Sequence, residues 1–159
     1  MKSATVALVM RRFTIHTERP DATLTGALCA TCVDVLGLPG AGISLHSPSG
    51  DMYSIGVSDP VMAEIQELER MLGEGPCVDA WMRGEPVGEP DLANPADASR
   101  WIEFTSGALR VGARASFGYP LQIGSTRFGA LNLYDTEPGA FSPERHESAL
   151  VLADRKSVV

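Results

Sequence analysis

From Asp21 onward the hydrophobic positions recur with two different periods, and each change of period marks an element boundary. Leu24, Leu28, Cys32 and Val35 fall at helical spacing, with Asp21 placed to cap the start and Gly37 suited to a left-handed end. Residues 41–46 and 52–57 alternate around Pro48-Ser-Gly-Asp51, which predicts a β-hairpin. Asp59-Pro60 sets a cap before a proline at the first helical position, and Val61, Ile65, Leu68 and Leu72 mark one face of a second helix that ends at Gly73. Gly75-Pro76 repeats that start signal for a short helix over residues 77–83, closed by Gly84. An extended segment over residues 86–92 follows. A polar loop with a cap at Asp97 or Ser99 then leads into a helix with Trp101, Phe104 or Thr105, and Ala108 on its inner side. Residues 114–123 and 128–134 form a second hairpin around Gly124-Ser-Thr-Arg127, and Ser142-Pro143 opens a last helix with Ala149, Leu150 and Ala153 as its stripe.

Hairpins separated by helices exclude the strand–helix alternation of a doubly wound fold. The expected class is α+β, with an antiparallel sheet of five to six strands flanked by helices and room for a small-molecule pocket between sheet and connecting helices. Residues 1–20 carry no turn punctuation and are read as a leader or N-terminal helix that packs against a partner subunit.

Composition narrows the function classes. The 159 residues, 44% hydrophobic, suit one core. Thirteen Lys and Arg against 20 Asp and Glu give a net charge of −7, without the positive face that nucleic acid requires. No apolar run approaches the roughly 20 residues that span a bilayer, so no membrane partner is expected. Three cysteines without framework spacing fit a reducing, cytoplasmic setting.

Leu72-Gly-Glu-Gly-Pro-Cys77-Val-Asp-Ala, followed by Gly84-Glu-Pro-Val87 and Pro90-Asp-Leu92, resembles a GAF domain of the actinobacterial type. Trp101 with Phe104 is similar to that family's Trp-Pro-x-Phe element, with Ile102 in place of proline. Residues 112–121 and 129–134, then Glu137-Pro-Gly139 and Phe141-Ser142, resemble its last two strands and the start of its final helix. The resemblance covers residues 21–156 and leaves 157–159 as a tail. It implies a GAF/PAS-like sandwich, a regulatory sensor of an unidentified small molecule, and a homodimer paired through terminal helices. In the actinobacterial type an ANTAR output module, which binds RNA, often follows; here the sequence stops at Val159, so the expectation is either a standalone sensor or a truncated chain whose output module lies outside it. No particular cofactor is implied. The alternative is a GAF module that pairs or docks without a ligand.

Cys77 is the sharpest candidate for chemistry, because a thiol at a helix start can be activated by the dipole and free amides. A small side chain packed against the sheet under a tight turn is the favoured reading. Gly-x-Gly-x-Cys before Gly-Glu-Pro-Val also resembles free methionine sulfoxide reductases, but these need further pocket cysteines, and Cys29 and Cys32 fall in the first helix. No catalytic residue is therefore assigned and no enzyme is expected. His16, His46 and His146 lie too far apart for zinc spacing, and no metal is expected. The expected pocket walls are Cys77, Asp79 and Trp81, the loop at Asp91, and Trp101 with Phe104, with Arg114, Ser116 and Asn132 as polar contacts from the late strands. The three aromatics could equally be core.

Overall fold

A computed structural model describes residues 2–153. Six helices and five strands follow in the order α1 (Lys2–Thr17), α2 (Leu24–Leu36), β1 (Gly40–His46), β2 (Met52–Val57), α3 (Pro60–Leu72), α4 (Pro76–Arg83), β3 (Val87–Glu89), α5 (Ile102–Arg110), β4 (Ala115–Ile123), β5 (Thr126–Asp135) and α6 (Pro143–Ala153). The strands form one antiparallel sheet in the order β2-β1-β5-β4-β3. The expected α+β class and strand count hold. The expected tail, residues 157–159, lies outside the described residues.

Period-two alternation gives the sheet two unlike faces. One carries Ile43, Phe117, Tyr119, Leu131 and Leu133, and packs with Leu28, Cys29 and Cys32 of α2, Val9 of α1 and Leu152 of α6 into the larger core. The opposite face carries Gly42, Ser44, Ser116, Gly118 and Asn132, small or polar residues that by themselves bury little apolar area. There α3 and α4 cover the sheet, α5 packs against α3, and Met62, Ile65, Trp101, Phe104 and Ala108 make a second core.

Two glycines decide how closely those helices sit. A Cβ on Gly118 would lie 2.6 Å from the Pro76 carbonyl oxygen and 2.8 Å from the Cys77 nitrogen, so the start of α4 rests directly on β4. A Cβ on Gly42 would meet Gln66 and lie 2.8 Å from Cγ of Met62, which seats α3 on β1 in the same way.

Several local expectations are corrected. Residues 2–17 take the N-terminal helix of the two alternatives, and α1 lies against α2 and α6 of its own chain, with Val9 fully buried. Thr23, not Asp21, caps α2; its hydroxyl accepts the Gly26 amide at 3.0 Å, while Asp21 sits in the left-handed region at φ 62°. The inner stripe of α3 is Met62, Ile65, Gln66 and Glu69, rotated from the expected one by about a residue. Leu150 of α6 is exposed, because Val151 and Leu152 face the core instead. Asp97 does not cap α5. Its carboxylate closes a turn onto the amide of Ser99 at 3.0 Å, and Trp101, left-handed at φ 54°, opens the helix.

Candidate functional site

The polar face of the sheet and the helices over it bring most of the sequence-predicted residues together, around one that the sequence reading missed. Glu69 is fully buried on α3. Its carboxylate accepts the Cys77 amide at 2.8 Å and the Asn132 side-chain amide at 2.5 Å. It therefore caps α4, a helix whose preceding Gly75 offers no side chain for that role. Burial outweighs these donors and pushes the Glu69 carboxyl up to about 8, with the nearby Asp79 charge adding to the rise. A Cβ on Gly75 would lie 2.5 Å from Oε2 of Glu69, so the glycine makes room for the carboxylate.

Around this centre lie side-chain atoms with unused bonding capacity. Nε2 of Gln66, Oγ of Ser116 and Oδ1 of Asn132 are all buried without a hydrogen-bond partner. Asn132 stands between the other two on the ladder. Gly42 pairs with Asn132 across the β1–β5 ladder and sits beneath Gln66, while Asn132 pairs with Gly118, two residues along β4 from Ser116. Each unpaired atom costs about 1–3 kcal/mol relative to a satisfied one.

A second polar pair adjoins it. Ser44 Oγ lies 2.9 Å from Nε2 of His46, both side chains buried, and His46 stacks on Trp81 with ring centroids 5.2 Å apart. Burial lowers the His46 imidazole to about 4, which keeps it neutral near pH 7.

The remaining predicted residues divide. Asp79 accepts the Trp101 indole N–H at 3.1 Å, and Trp101 in turn meets Phe104 edge-on, so these three wall the site from the α4 and α5 side. Trp101 also carries the Arg100 guanidinium 3.8 Å from its ring centroid. Asp91 is half-buried beyond β3, its amide donating to Glu89. Trp81 lies at the rim, its indole N–H donating to the Arg127 carbonyl at 3.2 Å. Arg114 is not brought in. Its guanidinium donates to the carbonyls of Leu109 and Ala113 and ties the end of α5 to the start of β4.

Cys77 is where the sequence placed it, at a helix start, and it is packed rather than activated. The side chain is fully buried, its sulfur lies 3.7 Å from the Leu131 carbonyl oxygen, and burial with the adjacent Glu69 pushes the thiol well above its ordinary value. The Glu69 carboxyl group accepts the Cys77 amide, a donor that could otherwise have favoured a thiolate. Cys29 and Cys32 belong to the core on the other face of the sheet.

Glu69 and Gln66 were missed because a charged and an amide side chain at inner helical positions count against burial in any periodicity reading. One signal was available: Met62, Ile65, Gln66 and Glu69 follow the 3–4 spacing of an inner face.

Comparison with known proteins agrees with this architecture. The sequence model described as GAF domain matches residues 18–155. The chain belongs to the GAF domain family, whose members are sensory and regulatory and often bind ligands. Among solved structures it is similar to the GAF domain of a phosphoenolpyruvate-protein phosphotransferase from Coxiella burnetii (14% identity, 98% of this chain and 92% of that one, TM-score 0.66). It is similar to a domain of a two-component sensor histidine kinase protein from Sinorhizobium meliloti (19% identity, 83% of each chain, TM-score 0.65). The free methionine-R-sulfoxide reductase of Neisseria meningitidis, solved with its substrate, is a third (16% identity, 99% of this chain and 87% of that one, TM-score 0.63). At these identities the likeness is one of fold. No curated protein sequence matches the chain. Among the described residues no helix is long and apolar enough to cross a membrane.

Proposed function

We propose that this GAF domain is a non-enzymatic sensor that takes a small molecule between α3, α4, α5 and the polar face of the sheet, and passes its occupancy to a second copy or an output module. One observation carries the reading: Gln66 Nε2, Ser116 Oγ and Asn132 Oδ1 form a buried group of donors and acceptors that the chain itself leaves unsatisfied. An interior built only for stability pairs such atoms or replaces them with apolar ones. A ligand bearing both a hydrogen-bond acceptor and a donor would satisfy them together, with Asp79, Trp101 and Phe104 as its outer wall and Cys77 as a packing residue. Signalling through a homodimer, and an ANTAR-type output in particular, is supported only by the sequence resemblance around Leu72–Cys77.

A second reading, a module that pairs or docks without a ligand, is favoured by the direct seating of α3 and α4 on Gly42 and Gly118, which leaves the two layers in contact. A reductase reading has less support, since Cys77 is separated by the sheet from Cys29 and Cys32, the only other thiols.

Native mass spectrometry of the protein purified from its own host separates the first two. A small molecule retained by the wild type and lost from Asn132→Leu and Gln66→Leu is the expected result. A bare mass, with both variants more stable than the wild type, would overturn the sensor in favour of the ligand-free module.

A further inference from the structure

A second cleft lies at the α1–α2 side of the sheet, between α1, the length of α2 from Gly26 to Asp34, Pro39 before β1 and the end of β2, with a volume of about 530 Å3. Its lining divides by chemistry. Ala30, Val33, Pro39 and Val57 give an apolar floor, and Arg12, His16 and Arg19 stand together along one wall. Three basic side chains on one cleft are unexpected in a chain of net charge −7.

Their bonding is only partly used. Arg12 donates from Nε to Asp34 at 2.6 Å, and its two terminal nitrogens have no partner among the described residues. Arg19 forms no side-chain hydrogen bond or ion pair among them. His16 is 6% exposed; its Nε2 lies 3.1 Å from the same Asp34 oxygen, and Nδ1 is buried without a partner. Asp34 is the only carboxylate on the lining and is shared by Arg12 and His16, so the cleft keeps a positive balance. The first turn of α2, a 13-residue helix, reaches the cleft at Gly26 and adds the positive end of its dipole.

We propose that this cleft binds a small organic anion, a carboxylate or phosphate head on an apolar body, with Arg12, His16 and Arg19 as the head-group contacts and the Ala30–Val33 face of α2 beneath the body. Guanidinium groups suit either head, because both present paired oxygens to the fork of N–H donors. The volume and the apolar floor are those of a small-molecule site rather than a simple ion site. The sheet separates this cleft from the Glu69 site, so the two are occupied independently in space.

The test is titration of the full chain with benzoate, phenyl phosphate, benzamide and inorganic phosphate, followed by calorimetry and by backbone amide shifts. The anionic aromatic probes should bind roughly tenfold or more tightly than benzamide, a difference of about 1.4 kcal/mol, and shift the amides of Gly26 and Ala30. Arg19→Glu, at a position with no partner to lose, should weaken both while leaving the circular dichroism unchanged. Tighter binding of benzoate identifies a carboxylate ligand, and of phenyl phosphate a phosphate ester; either supports the site. Equal affinity for benzamide, unchanged binding in Arg19→Glu, inorganic phosphate binding as well as phenyl phosphate, or shifts confined to α3 and α4 would each overturn it.

Discussion

The buried carboxylate of Glu69 accepts the backbone amide of Cys77 at 2.8 Å, so the residue most conspicuous in the sequence is held by one that the sequence hides. The contact explains both the start of α4 and the inertness of its thiol, and it makes Glu69 the titratable centre of the polar face.

That arrangement sets a pH dependence. The carboxyl rises from an ordinary 4.5 to about 8 on folding, so the folded chain holds this proton more tightly than the unfolded one. The stability gained is complete below 4.5 and is lost as pH climbs through 8. Thermal midpoints measured from pH 5 to 9 should therefore fall less steeply for Glu69→Gln than for the wild type. Parallel curves would show that the buried acid does not titrate in this window.

His46 acts in the opposite direction. Burial lowers the imidazole from 6.5 to about 4, so its contribution is present above 6.5 and disappears as pH falls through 4. Urea midpoints between pH 7 and 4 should drop less in His46→Gln, which keeps a bonding group for Ser44, than in the wild type.

Gly118→Ala places a methyl group against the backbone of Pro76 and Cys77, where no flexible side chain can yield. Overpacking of this kind costs about 1–3 kcal/mol, and equilibrium denaturation should show a loss in that range. A neutral result would mean that α4 lifts from the sheet more easily than its contacts indicate.

All three thiols are buried, and each lies above its ordinary value. Ellman's reagent should leave the native protein unlabelled and react with three thiols only in denaturant. Prompt labelling of Cys77 in the folded chain would restore the reactive reading.

Much of the fold was legible because its boundaries are written in local chemistry. Asp59-Pro60 and Gly73 bracket α3, and Gly75-Pro76 and Gly84 bracket α4, each by a backbone rule that needs no tertiary contact. The start of α5 was not legible, since nothing local announces that Trp101 adopts a left-handed conformation; its bond to Asp79 and the Arg100 guanidinium over its ring hold it there. Of the expected pocket residues, Ser116 and Asn132 lie on the polar face of the sheet, with Trp101 and Phe104 in the core beside it. Arg114 lies apart from them, because strand position fixes where the Cβ points and not where a long side chain ends. The Glu69–Gln66 pair escaped for a related reason. A buried acid is tolerable only through an amide from α4 and a side chain from β5, both distant in sequence.

The missing side chain at Gly118 also has a mechanical meaning. With α4 resting on bare backbone, no compressible layer lies between helix and sheet to absorb an intruding atom. An atom placed between them would push on α4, the eight-residue helix that carries Trp81 against His46. The start of α4 is thus set at one distance from β4, and the Trp81 indole stacked on His46 is where a fluorescence measurement would register a change in that distance.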